Sequence, residues 1–91
     1  MRDLSEIRVD IDEVDRRLFT LFEKRLKLSD EVAEYKRLKN MAVFDPEREQ
    51  EKLEKIKKMS DDPFVSEAAA EFFSEIMSIS KKRQQIVLGA D

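Results

Sequence analysis

The sequence predicts an all-α fold of three helices, one very long, one short and one of medium length, on the strength of three observations. Apolar residues recur at spacings of 3 and 4 from Leu4 to Tyr35, the repeat of a single helical face. Only two prolines and one glycine occur in 91 residues, so helix is interrupted almost nowhere. Each proline follows an aspartate, at Asp45-Pro46 and Asp62-Pro63, the punctuation that opens a helix. With 41% apolar and 43% charged residues, the composition suits amphipathic helices in one domain spanning 1–91.

The first helix is predicted from about Ser5 to Lys39, with Asp3 and Glu6 as a capping box and Asn40 as a left-handed terminator. At 1.5 Å per residue it is about 52 Å long, whereas a compact monomer of this size has a radius of gyration of about 12 Å. Such a helix overhangs its own domain. Its stripe of Leu4, Ile7, Ile11, Val14, Leu18, Leu21, Leu28, Val32 and Tyr35 therefore calls for a second chain, and the sequence predicts an intertwined helical homodimer. One slot in the stripe breaks the pattern. Between Leu21 and Leu28 stands Arg25, and a guanidinium in a packed seam is costly unless something anionic meets it.

The second helix is predicted from Pro46 to about Met59, with Asp45 as its N-cap and only Leu53, Ile56 and Met59 to turn inward. The third runs from Pro63 to about Leu88, and its apolar residues cover the broad face expected of a mostly buried helix.

Several polar residues fall on inward faces. Arg25, Ser29, Val32 and Lys36 are spaced 4, 3 and 4, so Arg25 and Lys36 share a face, about 16 Å apart along the axis. Two long side chains so placed can hold a small dianion between them. On the third helix Ser80 and Gln84 put a polar notch into the row Phe73, Met77 and Val87. Arg48 and Glu49 lie in the first turn of the second helix, where free N–H groups and the positive dipole end favour an anion. Each of these has a structural alternative. Arg25 could pair with a carboxylate of a partner helix, Lys36 and Gln84 could face solvent, Ser80 is small enough to be tolerated, and Arg48 with Glu49 could be an ordinary charged turn. As a set they share one property: all are donors except Glu49.

What the chain lacks narrows the chemistry. Without cysteine there is no disulfide or thiolate metal site, and without histidine the commonest general base and metal ligand are missing. No metal and no cofactor is expected. A net charge of -3, with bases and acids interleaved, argues against a nucleic-acid partner. No apolar run approaches the ~20 residues of a membrane span and no signal peptide opens the chain, so the expected location is the cytoplasm.

These residues resemble the all-α (type II) chorismate mutases over nearly the whole chain. The likeness lies in Ile7-Arg8-x-x-Ile11-Asp12-x-x-Asp15-x-x-Leu18, then Glu23-Lys24-Arg25, Val32-Ala33-x-x-Lys36, Asp45-Pro46-Glu47-Arg48-Glu49 and Ser80-x-x-x-Gln84-Gln85. It implies that Arg8, donated by the partner subunit, and Arg25 bind carboxylates. Lys36 would bind a carboxylate and the ether oxygen, with Gln84 as the second donor to that oxygen. Arg48 and Ser80 would line the carboxylate side. Glu49 and the backbone at Asp45 would receive the ring hydroxyl, and Val32 and Met77 would form apolar walls. Spacing independently favours sharing between chains. Arg8 and Arg25 are about 25 Å apart on one helix, but antiparallel pairing about Leu18 brings Arg8 of one chain toward Arg25 of the other.

The implied reaction is the pericyclic rearrangement of chorismate to prephenate, an isomerase step in aromatic amino-acid (Phe/Tyr) biosynthesis. It needs no obligatory proton transfer, nucleophile or metal, which suits a site of Arg, Lys, Gln and Ser. An isochorismate-pyruvate lyase of the same fold is the nearest rival, and a non-enzymatic helical dimerisation module is a rival of another class. The chain is expected to lack the dehydratase, dehydrogenase or synthase domain that some family members carry, though a separate synthase or a fused domain could accompany it in its native context.

Overall fold

The helices form where capping and proline place them. The computed structural model describes residues 1–89, with α1 at Leu4–Leu38, α2 at Pro46–Lys57 and α3 at Pro63–Val87, and no strand among the described residues. Each helix starts on an aspartate whose carboxylate satisfies a free backbone N–H. Asp3 accepts from Glu6 at 3.0 Å, Asp45 from Arg48 at 3.1 Å and Asp62 from Phe64 at 2.9 Å. α1 ends in a Schellman motif: Asn40 takes a φ of 57°, its N–H reaches the Arg37 carbonyl, and the Met41 N–H reaches the Lys36 carbonyl at 2.8 Å. That turn folds the connector back over the last turn of α1.

Packing among the helices is sparse. α1 and α2 each rest on α3 and make no close approach to one another. Only the C-terminal half of α1 takes part, through residues such as Ser29 and Ala33, both buried. The apolar residues buried in the core are Ala33, Ile56 and Met77. A bidentate Arg83–Asp30 pair, with N–O distances of 2.8 and 2.9 Å, ties α3 to α1 at the surface.

The N-terminal half of α1 projects into solvent. The chain measures 56 × 26 × 18 Å with a radius of gyration of 16.6 Å, well above the value of about 12 Å for a compact domain of this length. Every residue of the apolar stripe from Leu4 to Tyr35 is exposed in the single chain, Leu18 by 48% and Leu21 by 62%. The third helix, too, is largely open in the single chain. Only Met77, Ser80 and Gln84 of α3 are buried, while Phe64, Phe72 and Ile86 stay open. The reason is geometric: 25 residues of α3 meet one short helix and half of a long one, too little surface to cover a broad apolar face.

Ile56 is the one buried residue of α2 and holds it to α3, so Ile56→Ala should cost about 2–5 kcal/mol in urea unfolding. The Asp30–Arg83 pair makes a prediction about acid. Hydrogen bonds from Arg83 hold the Asp30 carboxyl below its ordinary pKa, so the native state binds fewer protons than the unfolded chain. Its contribution is complete above the unfolded value of about 3.9 and is lost as pH falls through the lower folded-state value. The melting-temperature gap between wild type and Asp30→Asn should close below about pH 4, and should narrow in 1 M salt because the pair is exposed.

Candidate active site

Because α1 and α2 stand apart on α3, a slot is left between them, closed at one end by the connector. It is a cavity of about 380 Å³, the lower end of the range for small-molecule sites. Of the residues expected to form a site, Arg25, Val32 and Lys36 reach it from α1. Asp45, Arg48 and Glu49 reach it from the start of α2, and Met77, Ser80 and Gln84 from α3. Arg8 does not. It lies exposed on the projecting half of α1, remote from the cavity of its own chain.

Arg25 meets no carboxylate. Its guanidinium donates to the Ser80 hydroxyl at 2.5 Å, and among the described residues no ion pair includes it. Burial first, and the neighbouring Arg48 guanidinium second, pull its pKa down from the ordinary arginine value. Both causes act against the charged form, and an arginine keeps its charge in a protein regardless. The group is therefore a partly buried cation beside another cation, with only a neutral hydroxyl for company. An incoming anion would relieve both penalties.

Lys36 is held at two points. Its ammonium donates to the Val43 carbonyl at 2.7 Å, which the Schellman turn has brought back over the helix, and to Gln84 Oε1 at 3.3 Å. Gln84 in turn donates from Nε2 to the Ser29 hydroxyl at 3.0 Å, and Ser29 makes a longer 3.4 Å contact with the Ser80 carbonyl. Ser29, Ser80 and Gln84 are all buried, at 6%, 7% and 8% exposure, yet no buried side-chain polar atom among the described residues lacks a partner. The polar notch is thus a satisfied network rather than a packing fault.

Three polar cavity residues were given no role by the sequence reading. Lys81 pairs with Glu49 at 3.2 Å and sits over the Phe44 ring at 4.5 Å, while Lys52 lines the wall a turn beyond Arg48. The third is Ser29, which belonged to the inward row but received no role. Spacing could have flagged the lysines, since Lys81 is four residues from Met77 and Lys52 four from Arg48. They look like solvated charges in a chain where 43% of residues are charged.

The cavity wall carries five cationic side chains (Arg25, Lys36, Arg48, Lys52 and Lys81) against two carboxylates (Asp45 and Glu49). In a chain whose net charge is -3, that local excess makes the cavity a region of positive potential. Among the described residues no group of His, Cys, Asp and Glu is placed to hold a metal ion, and no helix is long and apolar enough to cross a membrane.

The fold and site therefore define an all-helical domain with a cation-lined cavity, and comparison with known proteins gives its kind. Residues 7–85 match chorismate mutase type II, and the chain belongs to that family. It is 33% identical to a bifunctional chorismate mutase/prephenate dehydratase of Aquifex aeolicus, over 98% of this chain and 27% of the relative. It is 38% identical to a chorismate mutase of Methanocaldococcus jannaschii, over 70% of this chain and 65% of that one. A T-protein of Haemophilus influenzae is 41% identical over 54% of this chain and 13% of its own length. The chain thus spans about a quarter of the first of these relatives and about two thirds of the second.

Proposed function

We propose that this chain is a chorismate mutase acting as a homodimer, with each cavity completed by Arg8 of the other chain. The observation that carries the reading is the excess of cations around a small cavity in a chain with neither histidine nor cysteine. Such a wall is poorly equipped for hydrolysis and well equipped for a dianion that rearranges within itself. Arg25, with Ser80 beside it, and Arg48 bind carboxylates and hold the substrate in its compact reactive conformer. Lys36 also faces the ether oxygen, where negative charge grows as the C–O bond breaks, and Gln84 is the second donor to that atom. Fixed donors in a partly buried site stabilise that charge more in the transition state than in the ground state. Glu49 and the Asp45 backbone receive the ring hydroxyl, and Val32 and Met77 supply the apolar walls.

The dimer rests on three supports. The stripe of α1 from Leu4 to Tyr35 is exposed along its whole length in one chain. Fully burying such a side chain is worth about 1.5–3 kcal/mol, and a core with so few buried apolar residues needs that contribution. Arg8 is the third: it stands about 25 Å along α1 from Arg25, out of reach of its own cavity and within reach of a neighbour's in an antiparallel pair. A fused or separate partner protein in the native context is compatible with the two relatives, bifunctional by name or much longer than this chain, that it covers only in part.

Lys36→Ala and Arg25→Ala should each lower kcat/KM for chorismate by at least about two orders of magnitude while the dimer persists in sedimentation equilibrium. Normal turnover by a folded Arg25→Ala dimer would overturn these roles. Sharing between chains has its own measurement. Mixing inactive Arg8→Ala with inactive Arg25→Ala should regenerate activity, because one of the two sites in each hybrid dimer holds both arginines. Mixed dimers that stay inactive count against a trans arginine.

A further inference from the structure

The orientation of the Gln84 amide in the hydrogen-bond network is the reverse of the one its proposed role requires. Its carbonyl oxygen faces the Lys36 ammonium at 3.3 Å, and its nitrogen is turned away to the Ser29 hydroxyl at 3.0 Å. Chemistry fixes that orientation, because an ammonium has only donors to offer and an amide NH₂ pointed at it would be repelled. An ether oxygen gaining negative charge at the same place needs N–H groups from both residues. A carbonyl left facing it would oppose the reaction.

We propose that Ser29 is a positioning residue that lets Gln84 reverse its amide. This rests on the mutase reading of the same cavity. In this network the Ser29 oxygen accepts from Gln84 Nε2 and its proton is spent on the 3.4 Å contact with the Ser80 carbonyl. When substrate enters, the amide makes a half-turn, Nε2 swings toward the ether oxygen and Oε1 comes to face Ser29. The hydroxyl then gives up its long contact and donates to Oε1. A hydroxyl both donates and accepts, so it serves either orientation of the amide. An apolar residue at this position would leave one end of a buried amide without a partner in both states.

Ser29 bonds the nitrogen end of the Gln84 amide and Lys36 the oxygen end, so the proposed effect of Ser29 on the reaction runs through Gln84. The test is a double-mutant cycle of Ser29→Ala with Gln84→Ala, following chorismate turnover in the purified protein. Ser29→Ala removes one oxygen at a helical position where alanine is the best helix former, so the variant folds. In the wild-type background it should lower kcat about tenfold, the size of one hydrogen bond, with KM changed less than about threefold. In the Gln84→Ala background it should change kcat by less than about twofold, since nothing is left to orient. An unchanged kcat for Ser29→Ala, an equal loss in both backgrounds, or a rise in KM alone overturns the proposal while leaving the mutase reading intact. A wild-type protein that fails to convert chorismate removes both.

Discussion

The rest of the structure depends on how α1 lies against α3. Arg25, Ser29 and Lys36 occupy positions of α1 where a helix pair ordinarily places apolar side chains, and the facing positions of α3 hold Ser80 and Gln84. Polar groups meet polar groups across the contact, and every buried side-chain polar atom among the described residues finds a partner. Had either helix kept an apolar residue opposite the other's donor, that donor would be buried and unpaired at a cost of about 1–3 kcal/mol. The network also works as a spacer. Small residues, Ser29, Ala33 and Ser80, form the close contact, so the long cationic side chains are left to reach sideways into the slot that α2 leaves open.

Much of this was legible in the sequence because capping and periodicity are local. Asp3, Asp45 and Asp62 open the helices and Asn40 closes the first, each by a contact within a few residues, and the expected ends lie within two residues of those observed. The inward row Arg25, Ser29, Val32 and Lys36 followed from helical geometry alone. What spacing could not reveal depends on contacts distant in sequence. Glu49 and Lys81 meet across 32 residues, and the Val43 carbonyl reaches Lys36 only because the Schellman turn folds the connector back. Whether α3 is covered depends on how much surface the other helices bring, which no pattern within α3 records. Its apolar face is therefore more open in the single chain than its composition suggests.

The cavity is also electrostatically unfinished, and this bears on how binding and stability are coupled. Burial and Arg48 both act against the Arg25 charge, and within the chain only a neutral hydroxyl offsets them. A dianion between these groups replaces cation–cation repulsion with attraction, so its affinity includes the relief of a penalty already present in the free protein. Mass action then requires the ligand to stabilise the fold it binds. Neighbouring cations are tolerable here because they are only partly buried, so solvent screens their repulsion.

In the proposed dimer the same helix carries assembly and chemistry, so neither can vary alone. The apolar stripe of α1 supplies the seam, Arg25 interrupts it, and Arg8 lies on the far side of the interruption about 25 Å away. Shifting the antiparallel register by one heptad would move the partner's Arg8 by about 10 Å, out of reach of the carboxylate it is proposed to bind. Register in this seam is therefore under a tighter constraint than packing alone imposes. Leucine and valine knobs accept several registers of a helical pair at similar cost, whereas the arginines of two chains meet around one dianion in only one.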